Sequence, residues 1–252
     1  MKTIGIDMGH PLRCGAFGIV SETDGNRLVG NLVISKLQAK GFIVVNCTYD
    51  VNSNELANRV ALANAQTLDL FVSLHMDSFS DPAANGGTVY TTANSSAKDI
   101  AINIVNKVAE SCNYNNRGWK EAGFYVLRNT NAPALLLEMG FVTNQEDCFK
   151  FNAEKIANAI VEAITGEALE NAPNDKIQYG YVVTTYLPNG YHGNGSFDGV
   201  DSEYVLGYFK DVKCYFRGNQ KGVWVETQTL PLSKCEELKA ILGSWFYSIE
   251  SN

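Results

Sequence analysis

The sequence predicts an α/β protein: a mostly parallel six-stranded sheet flanked by helices on both faces, followed by a small C-terminal α+β module of order βαββα. Three observations predict this class. Apolar runs alternate with amphipathic stretches as far as Gly166, which is typical of β-α-β units. Some of these runs are apolar throughout, as in strands buried on both faces. After a polar segment, the composition becomes rich in aromatic residues.

Ten segments of the first domain have the local pattern of a strand or a helix. Five segments near the N-terminus read in turn as strand, helix, strand, helix and strand: TIGID, about Arg27 to Ala39, FIVVN, ELANRVALANAQ and LFVSLH. Five more follow as strand, helix, strand, strand and helix: GTVYT, AKDIAINIVNKVAE, FYVL, ALLLEMG and about Ala153 to Thr165. These elements predict a domain over residues 1–166.

A polar segment and a second module complete the chain. Residues 167–177 include Pro173 and lack apolar periodicity, which indicates a linker. Residues 178–252 predict the βαββα module, with these elements in order: YGYVVTTYL, SEYVLGYF, KCYFR, GVWVET and a helix from about Leu232 to Tyr247.

Composition excludes several classes of function. The formal net charge of −7 argues against an electrostatic nucleic-acid binder. No run approaches the roughly 18 apolar residues of a membrane span, so no stable membrane insertion is expected. MKTIGIDMGH lacks the apolar core of a signal peptide, which predicts synthesis in the cytoplasm. The six scattered cysteines are predicted to be reduced and to behave as apolar residues. The four-residue spacing of His10 and Cys14 is weak evidence for a metal site.

Polar side chains follow three predicted strands at their carboxyl ends. His10 comes just after TIGID, His75 ends LFVSL, and Glu138 ends ALLL. Ligands of open parallel sheets bind beyond these ends, so the three side chains are expected at one edge. The alternatives are a hydrogen-bonded core or rim histidine at position 75 and a salt-bridged structural glutamate at position 138.

Glu22 completes a candidate metal site. It lies in the glycine-punctuated segment GHPLRCGAFGIVSE, which we expect to be a loop that brings the carboxylate back to the same edge. Two imidazoles and one carboxylate, with a position left for water, form a typical catalytic zinc set. The predicted ligands are therefore His10, Glu22 and His75, with one Zn2+. Glu138 is the spare carboxylate that can act as general base.

The first domain resembles the zinc-dependent N-acetylmuramoyl-L-alanine amidases of the amidase-3 type, which cleave peptidoglycan. The resemblance rests on IDMGH, on the helix with Arg59 and Asn64, on the SLH strand, and on VLR followed by PALLLEMGFVTN. The family's His, Glu and His ligands match the three residues named above, and its catalytic glutamate matches Glu138. This implies hydrolysis of the amide between N-acetylmuramic acid and L-alanine by water activated by zinc and the glutamate.

The sequence departs from the family pattern in two places. Its first loop reads GHPLRCGAFG rather than a GHGG-type start, and Asp77 stands where the family usually has Asn. Neither change touches a predicted ligand, but both alter the surroundings of the site. Arg128 and Asn144 are left open between substrate contact and support of the fold.

The domain order resembles that of a phage or prophage endolysin of a Gram-positive, clostridial-type host. In such proteins the C-terminal module binds the cell wall, and holin-made membrane lesions release the enzyme. The partners implied are peptidoglycan, a secondary wall polymer and a second copy through residues 178–252. Six aromatic side chains of this module are read either as core or as sugar-stacking residues: Tyr181, Tyr186, Tyr191, Tyr215, Trp224 and Trp245. His192 is read as a surface loop residue, and the βαββα order resembles a SPOR-type fold without its final strand.

Three other interpretations remain open. A zinc peptidase would share the sheet, but its ligand spacing differs from that of His10 and Glu22. A non-catalytic wall-binding protein would be expected to have lost a ligand or Glu138, and this chain retains them all. A host autolysin or spore-lysis amidase would keep the chemistry and change only the biological role.

Overall fold

The computed structural model describes residues 2–167, 169, 179–187, 200–210 and 212–250, with only the backbone described at position 233. The chain divides into two compact units, Met1–Pro173 and Asn174–Asn252. Most of the predicted linker, together with Tyr191 and His192, lies outside the described residues. No helix in the described ranges is long and apolar enough to cross a membrane.

The first unit is built on a six-stranded sheet. Its strands are β1 (Thr3–Met8), β2 (Ile43–Asn46), β3 (Leu70–Asp77), β4 (Gly87–Thr91), β5 (Asn116–Glu121) and β6 (Ala134–Phe141). They lie in the order β2-β1-β3-β6-β4-β5. All neighbouring pairs are parallel except β4 and β6. The predicted mostly parallel six-stranded sheet is confirmed, and the carboxyl ends of β1, β3 and β6 meet at one edge.

Helices cover both faces of this sheet. They are α1 (Glu22–Ala39), α2 (Glu55–Asn64), α3 (Lys98–Cys112), α4 (Tyr125–Asn129), α5 (Gln145–Lys150) and α6 (Ala153–Thr165). Helices α1, α3 and α6 pack together on one face, whereas α2 and α4 pack on the other. Under α2 and α4, Val60 and Leu127 bury against Phe71 and Leu136 of the strands. This burial of apolar side chains holds the layers together.

Two predicted elements of the first unit are wrong. Helix α1 begins at Glu22 rather than near Arg27, because Ser21 caps it and acidic residues fill its first turn before any apolar periodicity starts. FYVL is not a strand: most of it forms the short helix α4, with the adjacent residues Val126 and Leu127 both buried. The strand is instead the polar NRGWKE, which lies at the edge of the sheet, where polar residues are tolerated.

Over its described residues, the second unit consists of a small antiparallel sheet and two α-helices. Its elements are β7 (Tyr179–Thr184), α7 (Ser202–Leu206), β8 (Cys214–Asn219), β9 (Gly222–Thr227), β10 (Leu230–Pro231), α8 (Leu232–Leu242) and β11 (Phe246–Glu250). Strand β7 pairs with β11 on one side and with β9 and β10 on the other, and β8 pairs with β9. The core includes Val182, Val225 and Leu238.

The predicted βαββα order omits the last strand. Helix α8 ends at Leu242 because Gly243 takes a left-handed φ of 54°, and a 3-10 turn then leads into β11. With β10 continuing β9 along β7, the order becomes β-α-β-β-α-β, a split β-α-β arrangement. The comparison with a SPOR-type fold lacking its final strand was therefore wrong on that point, since an edge strand is present.

Candidate functional site

The polar side chains predicted at the strand ends meet at the carboxyl edge of the first unit. His75 on β3 and Glu138 on β6 are direct partners in the register of that strand pair. His10 lies two residues beyond the end of β1, which pairs with the other side of β3. The structure thus brings the three together, as strand-end placement predicts.

A tight turn carries His10 toward His75. A Cβ atom on Gly9 would lie 2.2 Å from Cε1 of His75, so only glycine fits between the strand and the ring. His10 itself has a φ of 58°, in the left-handed region that non-glycine residues rarely adopt. The two imidazole rings are edge to face, with their centroids 4.9 Å apart.

Glu22 projects from the first turn of α1 rather than from a loop. Its carboxylate is buried, with Oε1 lying 2.9 Å from Nδ1 of His75 and 3.2 Å from Nε2 of His10. Oε2 accepts a hydrogen bond of 2.7 Å from the N–H of Ala16. Burial opposes ionisation, but hydrogen bonds from both histidines hold the pKa of Glu22 well below its usual range. The same contact with Glu22 raises the pKa of His10, against the effect of burial.

These three side chains can hold a metal ion. One ligand atom from each of His10, Glu22 and His75 lies within 4.8 Å of the other two. The donor set, two imidazole nitrogens and a carboxylate oxygen, suits zinc with one position left open. An anionic oxygen already lies between the two imidazoles, so the residues fit such an ion. A metal there competes with a proton for His10, and its affinity is therefore expected to fall with decreasing pH.

Glu138 is not part of this cluster; it is partly buried, and one of its carboxyl oxygens, the buried Oε2, lacks a hydrogen-bond partner among the described residues. Burial raises the pKa of Glu138 well above its usual value, and the charges of Asp77 and Glu22 raise it further. A carboxyl group in a cleft with a pKa raised by burial and by neighbouring charges is a typical feature of an acid–base site.

Replacing Glu138 by glutamine is expected to stabilise the metal-free protein near neutral pH. A carboxyl whose pKa is raised by folding destabilises the native state once the pH exceeds its unfolded pKa of about 4.3. The penalty grows until the pH reaches the folded pKa, whereas glutamine carries no charge. Thermal unfolding should therefore show a higher Tm for Glu138→Gln near pH 7 and little difference near pH 4. A Tm difference independent of pH would contradict the assignment of an unfavourable buried charge.

A cavity of about 260 Å³ opens beside these groups. Its polar lining includes His10, His75 and Glu138, together with Asp7, Glu55 and Arg59. Its apolar wall comes from the other layer, with Leu56 of α2 and Phe124 and Tyr125 at the start of α4. Phe124 is 42% exposed and Tyr125 is 39% exposed, which leaves apolar surface free to contact a ligand.

Two residues left open by the sequence have structural partners. Asn144 caps α5, where its Oδ1 accepts from the N–H of Asp147 and its Nδ2 donates to the carbonyl of Pro82. These contacts indicate support of the fold. Arg128 is exposed, and its Nε donates to the carbonyl of Gly123 at 2.7 Å.

The sequence does not predict the buried ion pair between Asp7 and Arg59, which both line the cavity. Arg59 of α2 is 1% exposed and pairs with Asp7 of β1, which also accepts a 2.7 Å hydrogen bond from Ser73. Arg59 donates as well to the carbonyls of Met8 and Tyr49, each at 2.7 Å. The network therefore supports the end of the strand that leads to His10. The sequence signal was a charged residue, Asp7, inside a buried strand, which requires a partner.

The fold and the site define an enzyme of the α/β class, with imidazole and carboxylate groups gathered at the carboxyl edge of a covered sheet. Residues 4–170 match the family model described as N-acetylmuramoyl-L-alanine amidase. The match covers more than half of the chain, and the chain belongs to this family.

Individual relatives agree with this assignment. Over 170 residues the chain is 32% identical to the N-acetylmuramoyl-L-alanine amidase LytC of Bacillus subtilis, covering 65% of this chain and 34% of LytC. It is 30% identical to the endolysin of Bacillus phage SPP1, covering 64% of this chain and 62% of the endolysin. The catalytic domain of CwlV from Bacillus (Paenibacillus) polymyxa var. colistinus superposes with a TM-score of 0.61 at 31% identity, covering 66% and 97% of the two chains. The chain thus spans less than two thirds of LytC and of the endolysin.

Proposed function

We propose that this protein hydrolyses the amide bond between N-acetylmuramic acid and the L-alanine of the peptidoglycan stem peptide. The observation that carries the proposal is the His10, Glu22 and His75 cluster beside Glu138, whose Oε2 has no partner among the described residues, at one cavity. Membership of the amidase family supports the choice of bond. The family is generally zinc-dependent, and the donor set suits Zn2+.

Each residue has a defined task in this reaction. The side chains of His10, Glu22 and His75 would hold the ion. When bound, zinc supplies Lewis-acid chemistry: it polarises the carbonyl and lowers the pKa of water. Glu138 accepts a proton from the attacking water and later passes it to the amide nitrogen as the carbon–nitrogen bond breaks. The products are a lactyl carboxylate on the sugar and a free amino group on L-alanine.

The burial of Glu138 suits this proton shuttle. Burial raises the pKa of the Glu138 carboxyl group above its usual value, which favours its holding the proton from water until that proton passes to the leaving amine. A bound substrate would cover the exposed apolar surface of Leu56, Phe124 and Tyr125 and displace water there, which would strengthen charge–charge interactions in the cavity.

The similarity to the SPP1 endolysin supports a role in phage-directed lysis, in which membrane lesions of the holin type give access to the wall. The second unit then serves as the wall-binding and self-associating part. Among its aromatic candidates, Tyr186 and Tyr215 are exposed, whereas Tyr181, Trp224 and Trp245 are half-buried. A role in the host's own wall turnover is the second candidate, favoured by the similarity to LytC.

The test is the identity of the bond that is cut. Purified Gram-positive peptidoglycan is digested by the wild type, by chelated protein and by chelated protein restored with Zn2+, and the products are identified by mass spectrometry. We expect intact glycan strands and stem peptides with free N-terminal L-alanine, lost on chelation and regained with zinc. Cleavage within the glycan or within the peptide, or full activity after chelation, would refute the proposal.

A further inference from the structure

Arg27 contacts the backbone on both sides of the His10 turn. Its Nη1 donates to the carbonyl of Gly9 at 2.7 Å, and its Nη2 donates to the carbonyl of His10 at 2.5 Å. The neighbouring Asn26 also donates to the carbonyl of Gly9, at 3.3 Å. Two consecutive carbonyls of the turn are thus bound by one guanidinium group.

The turn held by Arg27 has an unfavourable conformation. His10 has a φ of 58°, so its backbone would relax if it were not held in place. Gly9 already lies against the His75 ring, which leaves no freedom on that side. The direction of the His10 imidazole therefore depends on the carbonyl contacts that fix the peptide planes before and after it.

Other contacts orient the guanidinium group itself. Asp50, in the segment after β2, accepts from Nη2 of Arg27 at 2.5 Å. The side chain of Arg27 is only 14% exposed, and its Nε has no partner among the described residues. The two terminal nitrogens therefore make the contacts, as the planar fork of arginine allows.

Arg27 lies on the same helix as Glu22 and contacts the backbone of His10, so it connects two of the proposed metal ligands. It lies on α1, five residues after Glu22, whose Oε1 is 3.2 Å from Nε2 of His10. The first turns of α1 therefore supply one side chain of the cluster and hold the backbone of another.

We propose that Arg27 is a positioning residue that holds the His10 imidazole in the direction needed to bind a divalent metal together with Glu22 and His75. This inference rests on the proposed function, because it concerns the same metal site. Residues that orient metal ligands typically change metal affinity by about 10- to 100-fold when they are removed.

The test measures metal binding without turnover. The full chain is stripped of metal, and its affinity for Zn2+ is measured by competition with a chromophoric chelator for the wild type, Arg27→Lys and Arg27→Gln. We expect Arg27→Gln to bind Zn2+ about 10- to 100-fold more weakly. Arg27→Lys should be intermediate, because an ammonium group keeps the charge but not the planar fork. The visible spectrum of the Co2+ form should show the change in coordination in the same order.

A matched control separates positioning from general stability. Lys36→Gln removes another cation of α1, one that pairs with Glu154 at 2.9 Å, and it should leave the Zn2+ affinity unchanged. Unchanged affinity and an unchanged Co2+ spectrum in the Arg27 variants would overturn the inference. If Arg27→Gln fails to fold, Arg27→Lys alone decides by the same criterion. Failure of the wild type itself to bind Zn2+ would instead refute the proposed function, and the inference with it.

Discussion

Replacing Glu138 by glutamine is expected to lower kcat by about 10²- to 10⁴-fold, the usual contribution of a general acid–base group. The amide has nearly the shape of the carboxyl group but cannot accept a proton from water. Because Glu138 is not a member of the His10, Glu22 and His75 cluster, the affinity for Zn2+ should change little. The measurement is the rate of release of L-alanyl peptide from a soluble muramyl peptide, with bound metal quantified in each sample.

Asp77→Asn is the matched control for this experiment. Asp77 lies near the end of β3, accepts a hydrogen bond from the N–H of Ser78 and raises the pKa of Glu138 through its charge. Its loss removes a carboxylate from the same edge without removing the base. We expect activity of the same order as the wild type, with the Glu138 limb of the pH profile moved to lower pH. Equal losses in Asp77→Asn and Glu138→Gln would indicate that local charge, and not the base, is what matters.

Replacing Arg59 by methionine is expected to destabilise the first unit by about 3–5 kcal/mol. Asp7 is 1% exposed, and without Arg59 its negative charge is buried with a single remaining side-chain donor, Ser73. Breaking a buried ion pair from one side is far more damaging than replacing both partners by apolar groups. The carbonyls of Met8 and Tyr49 lose a donor as well.

Hydrogen exchange measures this effect in the first unit alone. Protection of the amides in β1 and β3 reports the free energy of opening there, whatever the second unit does. The double variant Asp7→Leu with Arg59→Met should recover part of the lost stability, because the buried charge of Asp7 is removed together with its partner and the only other carboxylate paired with Arg59 in the described residues, Glu55, is partly exposed. If the double variant were as unstable as the sum of the two single variants, the ion pair would not be the cause.

The sequence predicts the location of those site residues that directly follow strands. His10, His75 and Glu138 each follow a local apolar run, and the parallel sheet places the ends of such runs at one edge. The glycines around Glu22 predict a loop, but the capping residue Ser21 and the acidic turn after it are the start of a helix. Glu22 nevertheless reaches His10 and His75 as predicted, because the first turn of α1 faces the same edge of the sheet.

The elements that were mispredicted have weak local signals. FYVL is too short for the spacing of its apolar side chains to distinguish a strand from a helix. NRGWKE has few apolar residues, which an edge strand tolerates because it is partly exposed to water. The sequence predicts that α8 continues to about Tyr247, because the hydrophobicity of the chain changes little where the helix ends at Gly243 and the 3-10 turn follows.

The sequence by itself determined the fold class of this protein and the position of His10, His75 and Glu138 at the edge of its sheet. These follow from period and order along the chain, which are local properties. The tertiary structure alone decided how those side chains are held: the pairing of Asp7 with Arg59, and the contacts of Arg27 with the two carbonyls of the His10 turn. Their partners lie 17 to 52 residues apart. No local pattern specifies such pairs, because they form only when burial removes the charged groups from water and leaves each other as partners.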